Sequence, residues 1–467
     1  MNISIHQHYK FASEIIRAYD IRGIFGENLK EEDAFFLALK LLQARNNLKL
    51  KGKVCIGYDG RISSPILYSA LLKGMMTEDV KIIDLGLVPT PVLYFAANYL
   101  LDIDIAVMIT GSHNPADHNG FKIMLNGKTL FGQDLKDLAD LEIVDSQGSQ
   151  TQTEVIKSDV ESTYLTVLRN LISINNNLRA VWDPGNGAAC NILKKLIKHL
   201  PGEHLIINEE INGSFPAHHP DPSRAENLQQ LIKKVKEEGY DFGIAFDGDA
   251  DRLGVVDSKG RILFGSHLLY IFACDLLKRN PRATILTDVK MSALIMNALK
   301  KLNCNLIQYK TGHALIKAKM KEVNAMLAAE MSGHVFFAEN YYGFDDAIFG
   351  ACKFLEIACH DRSLIEKSLQ VTESVFAISD RKISANSLQK EKFINAVRSF
   401  LQQKNYQFSE IDGIRVDLED GWWLIRASNT EDAILFAGEA YNIHVISEIN
   451  KVFNQLLSMG SNAAGIT

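Results

Sequence analysis

Short apolar runs alternate with amphipathic stretches along most of the chain, and this rhythm limits what it can fold into. Residues 53–57 (KVCIG) precede a helical pattern over 65–76, and 80–85 precede another over 91–101. Residues 180–182 lead through a glycine turn into 188–200, 241–246 run into an acidic turn, and 283–287 precede 292–302. An apolar run of strand length, bounded by turn residues, reads as a strand buried on both faces. The helix between two such strands must then cover a sheet face, so the pattern predicts parallel or mixed sheets layered with helices. At 467 residues the chain is too long for one core. Polar residues 145–153 (DSQGSQTQT), the turn 257–260 (DSKG) and a pattern change over 377–387 mark the divisions. Beyond them lie strand candidates 413–418 and 422–425, then a helix over 442–457. The prediction is three successive mixed-sheet α/β domains, residues 1–152, 153–256 and 257–372, plus a C-terminal α+β domain over 373–467.

Bulk properties remove several classes. A net charge of -6 argues against a general nucleic-acid binder. Cys55, Cys190, Cys274, Cys304, Cys352 and Cys359 form no CxxC pair, which fits free thiols in a reducing compartment. Residues 1–10 are polar, and no apolar run approaches the roughly 18 residues of a spanning helix. The expectation is a cytoplasmic monomer with no membrane or nucleic-acid partner.

Four segments carry chemistry. Thr110-Gly111-Ser112-His113-Asn114-Pro115 follows the apolar run 105–109 and precedes Asn119-Gly120, read as a turn, then Phe121-Lys122-Ile123. It places a serine on a tight loop at a strand end, where open α/β sheets put their chemistry. Asp247-Gly248-Asp249-Ala250-Asp251-Arg252 follows the run 242–246. Carboxylates at i, i+2 and i+4 point to one side of an extended segment and repel unless a cation sits among them. All-oxygen donors favour a hard cation such as Mg²⁺, with room for a phosphate oxygen that Arg252 could also hold. Glu330-Met331-Ser332-Gly333-His334 pairs a carboxylate with a hydroxyl, suited to sugar hydroxyls, although a helix-to-strand turn would carry the same residues. Arg426-Ala427-Ser428-Asn429-Thr430 combines a guanidinium fork, two hydroxyls and turn amides, the makings of a phosphate cradle.

Other motifs fail. Asp247 to Ser258 lacks the Gly and Glu of an EF-hand, and Gly127-Lys128-Thr129 lacks the upstream Gly of a P-loop. Cys190 degrades a dinucleotide turn at Gly185-Asn186-Gly187, and Asn114 breaks a GxSxG elbow.

The four loops in this order resemble the α-D-phosphohexomutase superfamily, and within it the bacterial phosphomannomutase/phosphoglucomutase group. The likeness covers nearly the whole chain. It includes Ala18-Tyr19-Asp20-Ile21-Arg22-Gly23, Pro89-Thr90-Pro91, His218-His219-Pro220-Asp221-Pro222 and Lys310-Thr311-Gly312-His313. The resemblance implies four domains around a central cleft, the fourth able to swing. It implies that Ser112 is the phosphoserine and that Ser112, Asp247, Asp249 and Asp251 hold Mg²⁺. By the same likeness Glu330, Met331, Ser332, Gly333 and His334 read the sugar, and Arg426, Ala427, Ser428, Asn429 and Thr430 hold phosphate. Tyr19, Arg22, Lys122, Arg252, Lys290 and His313 match further active-site positions. Two positions depart from the pattern: Tyr58 stands where Arg is expected in Gly57-Tyr58-Asp59-Gly60-Arg61, and Asp432 where Pro is usual.

The implied reaction interconverts hexose 1-phosphate and hexose 6-phosphate, for glucose and mannose, with a hexose 1,6-bisphosphate as intermediate and activator. Its partners are small sugar phosphates, and its products feed cell-surface polysaccharide precursors. Lys122, His334 and His313 are candidate bases, with Arg22 able to polarise the reacting group. Two other readings stand beside it: a Mg²⁺-dependent phosphatase with Asp247 as nucleophile, and a non-catalytic sugar-phosphate sensor.

Overall fold

The computed structural model describes residues 8–144, 153–428 and 432–466, with 379 and 380 as backbone only. Its first sheet runs in the order Ile21–Ile24, His118–Leu125, Ile103–Ile109, Lys53–Tyr58, Ile82–Leu87, Val155–Lys157, with Lys128–Thr129 beside His118–Leu125. Lys53–Tyr58 is parallel to both of its neighbours. His118–Leu125 and Ile21–Ile24 turn antiparallel at one edge.

Strand alternation explains the layers. Val54, Ile56, Ile105, Val107 and Ile109 pack with Leu37, Ala38 and Leu41 of helix Glu31–Asn47. Cys55, Ala106 and Met108, one residue out of phase, pack with Val92, Leu93 and Phe95 of helix Thr90–Tyr99. Successive side chains point to opposite faces, so each inner strand must be apolar throughout.

The second sheet runs Ile262–Leu263, Leu253–Asp257, Phe242–Phe246, Leu178–Asp183, Gly202–Ile206. The third runs Asn305–Tyr309, Thr284–Asp288, Leu327–Ala329, Val335–Phe337. One apolar cluster continues from the first unit's second face through Trp182, Phe242 and Phe246 to Phe272, Phe337 and Phe354. The fourth sheet is antiparallel, in the order Phe376–Ser384, Ala433–Ala440, Gly421–Ala427, Ile414–Leu418. Helices Ser387–Gln403 and Ile443–Ala464 pack on it around a separate core of Phe393, Trp423, Phe436 and Phe453. This is the α/β plus α+β architecture predicted from the rhythm.

The structure departs from the sequence reading in several places. Asn119 and Gly120 form no turn: they lie inside strand His118–Leu125, where Asn119 Nδ2 donates to Ser63 Oγ and Ser64 Oγ. Residues 330–334 join strand to strand rather than helix to strand. Strands Val155–Lys157 and Ile262–Leu263 belong to the first and second sheets, beyond the divisions drawn at 152 and 256. The last helix runs to Ala464, where Gly465 closes it in the left-handed conformation. The helical pattern also passes over Glu31–Asn47, Gly265–Arg279 and Ala347–His360, which are buried on most sides and so show little polar contrast. The cysteines are free; Cys55, Cys190 and Cys352 are buried and the other three half-buried. Among the described residues no helix is long and apolar enough to cross a membrane.

Candidate active site

Ser112 sits just past strand Ile103–Ile109 at φ 49°, a left-handed conformation unusual for a residue with a side chain. Its surroundings over-determine that conformation. Ser112 N donates to Thr110 Oγ1 at 2.8 Å, and Thr110 Oγ1 donates to Asp59 Oδ2 at 2.8 Å. The buried Arg61 guanidinium donates to the carbonyls of Ser112 (2.7 Å), Asn114 (2.6 Å), His118 (2.9 Å) and Pro115. Phe215 lies against the other side of Arg61, with its ring centroid 5.0 Å away. At Gly248 an added Cβ would run into Ser112 O, so only glycine lets the two loops approach this closely.

That approach brings the serine to the acidic loop. Ser112 Oγ donates to Asp247 Oδ2 at 3.0 Å and lies 3.3 Å from His113 Nδ1. Asp247, Asp249 and Asp251 are fully buried, with one ligand atom from each within 4.8 Å of the others. Asp247 Oδ1 accepts from Asp251 N (3.0 Å) and Arg252 N (3.2 Å). Thr90 Oγ1 donates to Asp249 Oδ2, and Thr90 N to Asp249 O at 2.9 Å.

Lys122 Nζ lies 2.7 Å from Asp249 Oδ2 and also donates to Asp251 Oδ2. Burial opposes its charge, but the two carboxylates outweigh burial and hold the ammonium well above its ordinary value. Burial and the neighbouring carboxylates together raise Asp247 well above the carboxylate range. Burial would raise Asp251 too, yet Lys122 and His334 hold it well below that range. Of the three buried carboxylates only Asp249 and Asp251 meet the Lys122 ammonium, and Asp249 Oδ1 has no hydrogen-bond partner among the described residues. This donor set, oxygen only and short of positive charge, fits a hard divalent cation.

Residues 330–334 pack beside this centre. His334 Nε2 lies 3.2 Å from Asp251 Oδ1, and Nδ1 lies 3.0 Å from Ser332 Oγ and 3.1 Å from Glu330 Oε2. Burial works against protonation, but Asp251 and Glu330 raise His334 to about 9, so its ring is a cation at neutral pH. Glu330 Oε1 accepts from Gly312 N at 2.6 Å, while Oε2 makes no hydrogen bond. Met331 N lies 3.4 Å from Asp288 Oδ2, and Gly333 O accepts from Leu253 N at 2.9 Å.

The His313 ring stacks on His334 with centroids 5.6 Å apart, and meets the Tyr19 ring edge-on at 5.5 Å. His313 Nδ1 lies 3.1 Å from Asp345 Oδ2 and 3.3 Å from Lys317 Nζ, and Lys317 Nζ reaches Asp345 Oδ1 at 2.7 Å. Burial, then the Lys317 charge, push His313 below the usual histidine value. The two histidines therefore differ in charge: His334 cationic, His313 neutral.

Arg252 is anchored by Asp221 at 3.7 Å and contacts His113 Nε2 at 3.4 Å. Burial, with Arg252 and Arg22 nearby, lowers His113 well below its usual value. Arg22 donates to Gly111 O (3.1 Å) and Asn114 Oδ1 (3.2 Å) and pairs with Asp20. Lys290 N donates to Asp288 Oδ1 at 3.2 Å. In the fourth unit, Arg426 Nη2 lies 3.4 Å from Asp412 Oδ2. Ala427 ends the strand, and Ser428 N donates to Ala433 O at 2.8 Å. Asn429 and Thr430 lie outside the described residues. Asp432, the departure from the pattern, pairs with Lys390 at 3.3 Å, and Tyr58 packs on Tyr68 with centroids 5.1 Å apart.

The chain matches the four successive domains described as phosphoglucomutase/phosphomannomutase, over residues 13–145, 162–260, 264–374 and 380–442. A phosphomannomutase/phosphoglucomutase of Pseudomonas putida is 40% identical over 450 residues, 95% of either chain. The chain belongs to the phosphoglucomutase/phosphomannomutase family. A phosphoglucomutase of Neisseria gonorrhoeae is 37% identical over 451 residues, 95% of this chain and 96% of its own. A family protein of Burkholderia thailandensis superposes with a TM-score of 0.88 at 34% identity, covering 97% of this chain and 98% of its own.

The site combines residues read directly in the sequence with others that sequence reasoning passed over. Arg61 and Asp59 organise the serine loop, Asp345 and Lys317 hold His313, and Asp221 holds Arg252. All but Lys317, which lies one helical turn from His313, are separated in sequence from what they hold by tens of residues, and no local spacing pairs them. Arg61 and Asp221 lie in segments that carried the resemblance, the one signal that pointed to them.

Proposed function

We propose that the chain is a phosphohexomutase that interconverts hexose 1-phosphate and hexose 6-phosphate, for glucose and mannose. The supporting observation is the Ser112 hydroxyl held 3.0 Å from Asp247 inside the buried carboxylate set, with Lys122 beside it. Phosphorylated Ser112 gives its phosphoryl group to a free sugar hydroxyl. The Ser112 O–P bond breaks, a sugar O–P bond forms and the Ser112 oxygen takes up a proton, giving a 1,6-bisphosphate. The proton leaving that hydroxyl needs a neutral acceptor, and His313, with Nδ1 facing Asp345 and Lys317, answers that need better than cationic Lys122 or His334. His334 and Arg252 then balance charge around the transferring group, and Arg22 steadies the serine loop. The bisphosphate turns over in the cleft, its other phosphate returns to Ser112, and the sugar oxygen regains a proton. Mg²⁺, held by Asp247, Asp249, Asp251 and the Ser112 group, would neutralise charge on the transferring phosphoryl.

Arg426, Ser428, Asn429 and Thr430 hold the phosphate that does not react. Glu330 and Ser332 read the 3- and 4-hydroxyls, which nearly exchange places when the sugar turns. Glucose and mannose differ at C2, so both are used, and a preference beyond roughly a hundredfold in kcat/KM contradicts this assignment. The reading is of a cytoplasmic monomer acting on small sugar phosphates. Asp247 makes a poor phosphatase nucleophile, since Oδ1 accepts from two amides and Oδ2 from Ser112.

The test is ³¹P NMR with α-glucose 1-phosphate, Mg²⁺ and a trace of glucose 1,6-bisphosphate. Growth of glucose 6-phosphate without inorganic phosphate supports the mutase, whereas inorganic phosphate as main product supports a phosphatase. Ser112→Ala abolishes turnover and leaves sugar-phosphate binding in place. Full activity in that variant rejects the phosphoserine route.

A further inference from the structure

Two adjacent amides in the loop before His313 are taken by carboxylates from different units. Thr311 N donates to Asp412 Oδ2 at 3.1 Å, and Gly312 N donates to Glu330 Oε1 at 2.6 Å. Asp412 Oδ2 also lies 3.4 Å from Arg426 Nη2. One carboxylate oxygen of the fourth unit thus faces both the phosphate arginine and the backbone that leads into helix His313–Val323.

Packing fixes Asp412 there. Gly413, at φ 84°, lies so close to Ile425 O and the Arg426 backbone that an added Cβ would clash with both. Only glycine lets the turn press against the strand carrying Arg426. Arg426 is buried and its Nε has no hydrogen-bond partner, so a carboxylate at Nη2 balances the charge and leaves Nε unengaged.

The units meet elsewhere as well. Arg415 Nη1 donates to Val289 O, Ser292 Oγ donates to Glu439 Oε2 at 2.9 Å, and Trp422 Nε1 reaches the same oxygen at 2.8 Å. Val289, Trp422 and Leu424 form a buried apolar patch between the units. Seating of the fourth unit therefore does not depend on Asp412.

We propose that Asp412 is a positioning residue that joins Arg426 to the His313 loop, so that grip on the non-reacting phosphate and placement of His313 are set together. This rests on the mutase reading above. Asp412 contacts no reacting atom and acts through Arg426 and Thr311 N.

Two substitutions separate its two contacts. Asp412→Asn loses the charge facing Arg426 but keeps an oxygen for Thr311 N, whereas Asp412→Ala loses both. In steady-state assays Asp412→Asn raises KM for glucose 1-phosphate about tenfold and lowers kcat by no more than about threefold. Asp412→Ala raises KM equally and lowers kcat about thirtyfold. Equal kcat losses in the two variants, or KM changes below about twofold in both, overturn the proposal. If the parent chain itself forms no glucose 6-phosphate, the mutase reading fails, and glucose 1-phosphate binding by calorimetry then tests the joint. Binding about tenfold weaker in Asp412→Asn supports it, and unchanged binding overturns it.

Discussion

Ser112 and Arg426 would both serve a phosphate in the proposed reaction, yet the protein holds them in different ways. The Ser112 loop is gripped by one buried guanidinium on four carbonyls, with Asp59 accepting from Thr110 Oγ1 and from Gly111 N at 3.2 Å. Arg426 has a 3.4 Å ion pair to Asp412, and its Nε, like that of Arg61, has no hydrogen-bond partner among the described residues. The difference follows from the chemistry each end would do. In-line transfer demands the nucleophile within a fraction of an ångström, and the terminal nitrogens of Arg61 are committed to holding the Ser112 loop. A site that receives a phosphate from either end of a sugar needs uncommitted donors.

Breaking the grip gives the largest effect. Arg61→Met strands four carbonyls and removes the ion pair, 3.3 Å from Nε to Oδ2, of buried Asp59, at a cost of about 3–5 kcal/mol. Turnover of the protein that remains folded falls about a thousandfold, because the hydroxyl leaves its aligned position. Denaturant unfolding and single-turnover kinetics measure the two; a folded variant within about tenfold of the parent shows that Arg61 is not what aligns Ser112.

Acid supplies an intermediate effect, away from both loops. His267 Nδ1 accepts from Phe264 N at 3.1 Å, and Nε2 lies 2.8 Å from Thr372 Oγ1, just before the fourth unit. Burial lowers His267 from 6.5 to about 4, so the folded ring stays neutral where the unfolded one takes a proton. Stability is therefore present above about pH 6.5 and lost as pH falls toward 4, by up to about 3 kcal/mol. His267→Gln flattens this slope in chemical denaturation across that window; an unchanged slope assigns the acid sensitivity to other groups.

The smallest effect falls at Arg426. Arg426→Lys keeps a charge beside Asp412 but loses the planar fork. KM rises about tenfold, or ~1.4 kcal/mol, with kcat changed less. A drop in kcat matching that of Arg61→Met would erase the contrast between the two regions.

The candidate-site loops were legible because their residue types are local and dense. A serine at a strand end, carboxylates at alternate positions and an arginine before hydroxyls announce their chemistry within six residues. Asn119-Gly120 misled for the same reason: its composition suits a turn, but pairing with Gly23 and Arg22 of strand Ile21–Ile24 makes it strand. The charge difference between His313 and His334 was illegible, because it depends on Asp345 and Asp251 brought in from other elements as well as on the local partners Lys317 and Glu330.

By itself the sequence determined the layered α/β plan, the four loops and residue types suited to a phosphate, since periodicity and short-range composition are properties of the chain. Only the tertiary structure decided that Arg61 locks Ser112, that Lys122 sits between Asp249 and Asp251, and that Asp412 meets Thr311. Those contacts join residues 51 to 129 positions apart. Burial makes each partner's charge count, and burial exists only once the units have closed on one another.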